Sequence, residues 1–371
     1  MNDQEIIKQI FIYRCPVKLK EPFVISLGRL DNADNVIIVI ETSGGYRGFG
    51  ECSPFMTIHG ETGETCMIVA RLIAEKLKGK DALDISGCSS LMDAIIYGNT
   101  SIKSAFDIAL YDIASQHAKV PLYEFLGGAN NKVIATDYTV SFGDSDKMAD
   151  DAEKIVASGF PVVKVKLGGS EDDDFVRIKK IRQKIGHQYP IRIDANQGWS
   201  VDTAMRILNR LEVFNIQHCE EPVSRKEFMS LPLIKSKSKI PIMADESCLD
   251  HYDASRLIEM DACSLLNVKL GKSSGIFKAM KITKLAEEAQ MQLQMGGFLE
   301  SRLGFTAAAH VALSSSQYVF FDFDTPLMFS EDFIVGGIRY EKNGVIRMPD
   351  GNGLGASVSD DVLNNFLKIS V

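Results

Sequence analysis

The sequence is short of most features that announce a ready-made chemistry. Its six histidines fall at no metal-binding spacing, and its seven cysteines, at 15, 52, 66, 88, 219, 248 and 263, form no CxxC pair. An odd, dispersed set of that kind argues against a disulfide framework or a zinc site and reads as reduced cytosolic thiols. Neither a P-loop nor a strand-borne GxGxxG occurs, so no nucleotide cradle is expected. Basic blocks are missing too, and the formal net charge is −8, which speaks against nucleic acid or an anionic membrane as a partner. The longest aliphatic run, residues 36–40, is far too short to span a bilayer. The acidic, amphipathic first 14 residues carry no signal-peptide pattern, and a cytoplasmic location is expected.

What is present suits an ordinary globular protein: 371 residues, 45% hydrophobic and 24% charged, enough for two domains or a barrel with additions. Over residues 1–130, strand-like stretches (10–17, 36–41, 46–51) are broken by Gly44 and Gly45 and followed by helical periodicity at 64–78 and 101–117. That order predicts a small α+β domain. Residues 131–325 change character. Eight short apolar stretches (134–140, 162–167, 191–194, 217–220, 240–245, 264–270, 290–296 and 319–322) alternate with amphipathic helices. Such alternation predicts right-handed βα units, and eight of them suggest a closed barrel with its active site at the C-terminal strand ends. The glycine-rich residues 326–371 read as turns and short strands returning to the first domain.

Charged residues recur at those strand ends. Lys166, Asp194, Glu220, Asp245 and Lys269 follow one another at intervals of 24 to 28 residues. Asp194, Glu220 and Asp245 would neighbour one another on three successive strands. Three carboxylates without histidine or cysteine make a hard oxygen site suited to Mg²⁺ or Mn²⁺. Lys164 and Lys166 stand at i and i+2, so a strand turns both to one side. Lys269 belongs to the sixth strand, opposite the second in a ring of eight. A ligand on the metal would then have a lysine on each face. A proton next to a carboxylate is weakly acidic because its loss adds a second negative charge, which a divalent cation stabilises. Two opposed bases let one take the proton while the other returns it, inverting the centre. Free lysine titrates near ~10.4, and a second ammonium at Lys164 together with the metal would lower Lys166.

Five motifs in order, Val163-Lys164-Val165-Lys166, Asp194-Ala195-Asn196, Glu220-Glu221-Pro222, Ala244-Asp245-Glu246-Ser247 and Asn267-Val268-Lys269, resemble the muconate-lactonising subgroup of the enolase superfamily. The resemblance covers nearly the whole chain. It implies an N-terminal α+β capping domain on a modified (β/α)7β TIM barrel, one Mg²⁺ per subunit on Asp194, Glu220 and Asp245, and Lys166 and Lys269 as the acid/base pair. Lys164 would support Lys166 and touch the substrate carboxylate. A homo-oligomer is expected.

Within that subgroup Asp322 and Asp324, on one side of the eighth strand, look like the Asp-x-Asp motif that holds the substrate ammonium in dipeptide epimerases. Thr139 and residues Gly297 to Leu299 match positions that line the peptide there. The implied activity is epimerisation of a dipeptide at the α-carbon of its C-terminal residue. L-Ala-D/L-Glu epimerase, or a cycloisomerase or o-succinylbenzoate synthase, are the alternatives on the same scaffold. The first capping loop, residues 22–28, is apolar and uncharged, with Arg29 just beyond, which favours an apolar second side chain. His59, Glu61 and Glu64 in the second capping loop read as solvated, and His310 as a packing residue.

Overall fold

The run at 36–40 is explained by its position between two cores. The computed structural model describes residues 4–371 and places that run in the middle of an antiparallel meander, β1 (Ile7–Ile25), β2 (Gly28–Thr42) and β3 (Arg47–Cys52). Successive strand residues face opposite sides. Val36, Ile38 and Ile40 therefore pack under the helices α1 (Gly63–Leu77), α2 (Ile85–Ile95) and α3 (Thr100–His117), while Ile37 and Val39 join the core shared with the barrel. A strand covered on both faces has no polar side to alternate with. Helix α3 lies directly on β3, where a Cβ at Gly50 would sit 1.9 Å from the Ala105 carbonyl oxygen. Only glycine permits that approach.

Eight parallel strands follow, each hydrogen-bonded to the next in chain order: β4 (Tyr138–Val140), β5 (Val163–Lys166), β6 (Ile191–Asp194), β7 (Ile216–Glu220), β8 (Ile242–Ala244), β9 (Leu265–Val268), β10 (Gln292–Met295) and β11 (Tyr318–Phe321). Seven helices connect them, α4 (Ser145–Ala157), α5 (Glu171–Ile185), α6 (Val201–Leu211), α7 (Leu231–Lys237), α8 (His251–Glu259), α9 (Ile276–Glu288) and α10 (Arg302–Ala312). This is the modified (β/α)7β barrel. Its first and last strands meet at a seam, where Asp137 N donates to Phe321 O (3.3 Å), Phe323 N to Thr136 Oγ1 (2.8 Å) and Thr139 N to Asp324 Oδ2 (2.7 Å).

Aliphatic residues such as Val163, Val165, Ile191 and Ile193 face the helices. The other set of positions is polar in two layers. Below lie Asp137, Lys164, Arg192, His218, Asn267 and Gln294; above lie Thr139, Lys166, Asp194, Glu220, Asp245, Lys269 and Asp322, all buried. Barrel interiors are ordinarily filled by bulky branched side chains, so two buried polar layers mark a place where chemistry replaces packing.

The two domains are tied through helix ends. Asp107 of α3 accepts from Ile276 N (2.5 Å) and Phe277 N (3.2 Å) at the start of α9, and Glu51 of β3 accepts from Ser301 N and Gly304 N at the start of α10. At the far end of the sequence, β12 (Leu367–Ser370) pairs antiparallel with β1. Among the described residues no helix is long and apolar enough to cross a membrane.

Candidate active site

Each strand that ends in a charged residue delivers it to one place. Lys166, Lys269, Thr139, Gly297, Leu299, Asp322 and Asp324 line a chamber of about 40 Å³ at the C-terminal end of the barrel. Phe23, Ile25, Phe55 and Ile58 of the two capping loops close it from above. Asp194, Glu220 and Asp245 are fully buried. The lysines approach from opposite strands, β5 and β9. Lys166 Nζ stands 2.6 Å from Asp194 Oδ2, and Lys269 Nζ stands 2.7 Å from Asp245 Oδ2. Lys164 Nζ reaches Asp322 (2.6 Å), Glu220 (2.8 Å) and Asp194 (3.5 Å). An aromatic ring shields each opposed lysine: Phe23, 5.7 Å from Lys166 Nζ, and Phe298, 4.9 Å from Lys269 Nζ.

Burial and charge set the protonation states. Burial alone would lower the Lys164 ammonium, but Asp322, Glu220 and Asp194 outweigh it and hold it well above its ordinary value. Lys269 is likewise penalised by burial and raised on balance by Asp245 and Glu220. The aspartates of the last strand are driven apart. Burial and the neighbouring Asp322 charge push Asp324 up to about 7, whereas Lys164 and Lys166 overcome burial to hold Asp322 below its ordinary value. Two close carboxylates in one dry site separate in this way.

The donor set at Asp194, Glu220 and Asp245 fits a hard divalent cation. It consists of carboxylate oxygens alone, fully buried, on three consecutive strands. The amides of Asn267 (2.8 Å) and Gln294 (3.3 Å) hold both oxygens of Glu220. In the structure these three carboxylates turn to the lysines. Among the described residues, the carboxylates whose oxygens lie within 4.8 Å of one another are instead Asp137, Asp322 and Asp324. Asp137 also pairs with Arg192 at 2.7 Å.

Several participants were not singled out in the sequence. Lys272, 1% exposed, donates to the Asp245 carbonyl (2.6 Å), the Asn267 carbonyl (2.8 Å) and the Asp245 carboxylate. Its three-residue offset from Lys269 is the one available signal. Glu61 is not solvated as expected: it is 3% exposed and accepts from Ser101 N and Ile102 N at the start of α3. A helix N-terminus leaves such donors unpaired, which accounts for a buried carboxylate there. Glu221 accepts from Asp245 N (2.7 Å) and Ser247 N (3.2 Å), bracing the loop after β8. Glu246 lies 3.5 Å from Asn196 Nδ2. Arg29 is exposed and paired with Asp31 at 2.8 Å. Trp199 is buried, donating from its ring to Asp174 (2.8 Å).

Comparison with known proteins places both domains in one family. Residues 7–127 match the mandelate racemase / muconate lactonizing enzyme N-terminal domain, and residues 147–362 the enolase C-terminal domain-like family. A D-Ala-D/L-Ala epimerase of Cytophaga hutchinsonii is 57% identical over 366 residues, covering 99% of this chain and all of that protein. The crystal structure of the dipeptide epimerase from Cytophaga hutchinsonii, complexed with Mg and D-Ala-L-Val, matches with a TM-score of 0.98 and 57% identity over 99% of this chain and 100% of that one. That of the Enterococcus faecalis dipeptide epimerase, complexed with Mg and L-Leu-L-Tyr, gives 0.92 at 34% identity, with 95% and 99% covered. An L-Ala-D/L-Glu epimerase of Clostridium acetobutylicum is 37% identical over 94% of this chain and 98% of its own length. With both of its domains matched and relatives this close over their full length, the chain belongs to the enolase superfamily, in its mandelate racemase and muconate-lactonizing branch.

Proposed function

We propose that this chain is a Mg²⁺-assisted dipeptide epimerase that inverts the α-carbon of the C-terminal residue by proton transfer between Lys166 and Lys269. The observation that carries this reading is one chamber entered by two buried lysines from strands four apart in an eight-strand ring, with Asp322 and Asp324 beside them. Asp194, Glu220 and Asp245 would hold the cation, and Mn²⁺ would serve as well. Bound there, it supplies the charge stabilisation needed when the α-proton leaves and a second negative charge develops next to the carboxylate. Lys164, held charged by its three carboxylate neighbours, would orient the substrate carboxylate. Asp322 and Asp324 would take the ammonium, and Thr139, Gly297 and Leu299 the peptide between.

One lysine, neutral, takes the α-proton from its face; the other, as an ammonium, returns one to the opposite face. The carboxylates Asp245 and Glu220 are what raise Lys269 here. With their charge committed to a cation, burial and Lys164, which lower it, would be opposed by the weaker pull of Glu246. Apolar dipeptides suit the chamber best: its capping walls carry no charge, and Arg29 is spent on Asp31. The Cytophaga relative acts on an alanyl dipeptide and supports the same class. A cycloisomerase reading leaves two carboxylates facing the acid groups of its substrate, which is repulsive. Dipeptides incubated in deuterated buffer test the proposal. Lys166→Ala should abolish α-proton exchange from one epimer and Lys269→Ala from the other. Near wild-type epimerisation by either variant refutes the assignment.

A further inference from the structure

Phe298 covers Lys269, yet nothing in the barrel strands explains why its loop holds that position. The ring packs edge-on against His59 (4.3 Å) and tilted against Phe55 (6.0 Å), both from the second capping loop. Its backbone N–H donates to Glu300 at 2.5 Å, and its carbonyl accepts from Thr325 Oγ1 at 2.9 Å. The segment that carries it, residues 297–301, is gripped from the other domain. Glu51, on the last strand of the capping meander and 1% exposed, accepts from Ser301 N (3.0 Å), Ser301 Oγ (2.7 Å) and Gly304 N (2.9 Å). Asn35, fully buried on the neighbouring strand, donates from one amide nitrogen to both Glu51 Oε1 (2.8 Å) and the Leu299 carbonyl (2.7 Å). The fit leaves no slack. A Cβ at Gly304 would stand 3.2 Å from Glu51 Oε2 and 2.8 Å from Glu300, and one at Gly297 would stand 2.5 Å from Phe305.

We propose that Glu51, with Asn35, is a positioning residue for the epimerisation. From the capping domain it fixes the loop that sets Phe298 over Lys269 and Leu299 at the chamber wall. The inference rests on the two-lysine reading of the site. Glu51 touches neither chamber nor lysine, so its effect reaches the reaction through the loop alone. Lys166 is covered instead by Phe23, from a loop Glu51 does not hold. Loosening the clamp therefore disturbs one face of the substrate more than the other. A carboxylate that merely stabilised the fold would slow both faces alike.

The test follows α-proton exchange of each epimer in deuterated buffer alongside backbone amide exchange of residues 296–304. Glu51→Ala should slow the epimer that depends on Lys269 at least tenfold more than the one that depends on Lys166, and should speed amide exchange in the loop. Asn35→Ala should act in the same direction to a smaller extent, and provides the readout should Glu51→Ala fail to fold. Arg182, which bonds the carbonyls of Gly186, Tyr189 and Phe214 at the base of the barrel, supplies the control. Arg182→Gln should lower stability with the ratio between epimers unchanged. Equal slowing of both epimers in Glu51→Ala, or loop amides as protected as in the wild type, overturns the proposal. If the two single lysine variants do not separate the epimers, the two-base reading falls, and the loop amides still decide whether Glu51 holds the loop.

Discussion

A strand alternates its side chains, so spacing alone could tell which residues would converge. Lys164 with Lys166, and Asp322 with Asp324, sit two apart, and the repeat from Asp194 to Asp245 steps one strand at a time. What spacing cannot show is a contact made from another domain or across a turn. Glu51 and Lys272 escaped notice for that reason, and Glu61 read as solvated because the donors it satisfies lie 40 residues away. His310 shows what a buried titratable residue does outside the site. Its Nδ1 accepts from Tyr123 N (3.0 Å) and its Nε2 faces the Leu354 carbonyl (3.0 Å), which leaves no room for a second proton. Burial lowers it to about 4. The unfolded chain, with histidine near ~6.5, takes the proton first as pH falls. The stabilisation is thus complete above that value and is lost on descent toward pH 4, to the extent of roughly 3 kcal/mol. Denaturant unfolding at pH 7 and pH 4 should show a larger loss for the wild type than for His310→Asn. Equal losses would contradict the assignment.

Among the elements, seven of the barrel strands are legible to within about two residues at each end, because short apolar runs ending in charge have few other readings. The first, expected over 134–140, forms only at 138–140, since residues 134–135 pair antiparallel with 345–346 in a separate small sheet. The capping strands are less legible. The hairpin of β1 and β2 continues through a polar stretch, residues 29–35, that carries no alternation to read, and it forms because its partner strand supplies the hydrogen bonds. Helix starts that depend on a distant carboxylate are equally silent in sequence. Asp107, pushed up to about 7 by burial, caps α9 from α3. At pH 6, Asp107→Ala should lower the unfolding free energy by about 1–2 kcal/mol, with Asp107→Asn, which keeps an acceptor, in between. Urea midpoints check this, and an unchanged midpoint in the alanine variant would deny the cap its role.

For the molecule as a whole, three buried carboxylates and their lysines form a store of charge that a divalent cation should settle. Chelation with EDTA should abolish epimerisation and Mg²⁺ or Mn²⁺ restore it; full activity in metal-free protein would sink the mechanism. Because such an ion binds the folded state, Tm should rise with Mg²⁺, by an amount equivalent to about 2.7 kcal/mol at a hundredfold excess over Kd. Asp194→Asn should blunt that rise. A cap followed by a barrel is legible from the change of pattern, and a return of residues 326–371 to the first domain is expected from their turns and short strands, but the strand that makes the return is not, since residues 367–370 are too few to show a period. That route has a consequence for biosynthesis. Strand β1 lies between β2 and β12, so on one side it keeps a row of open hydrogen-bonding groups until residues 367–370 have been made. On the ribosome the whole barrel is synthesised before its lid is complete, and the nascent chain carries an unpaired edge throughout. The strand that closes the lid is made only after the barrel, so a ribosome stalled anywhere within the barrel leaves an adhesive strand exposed for a chaperone to find.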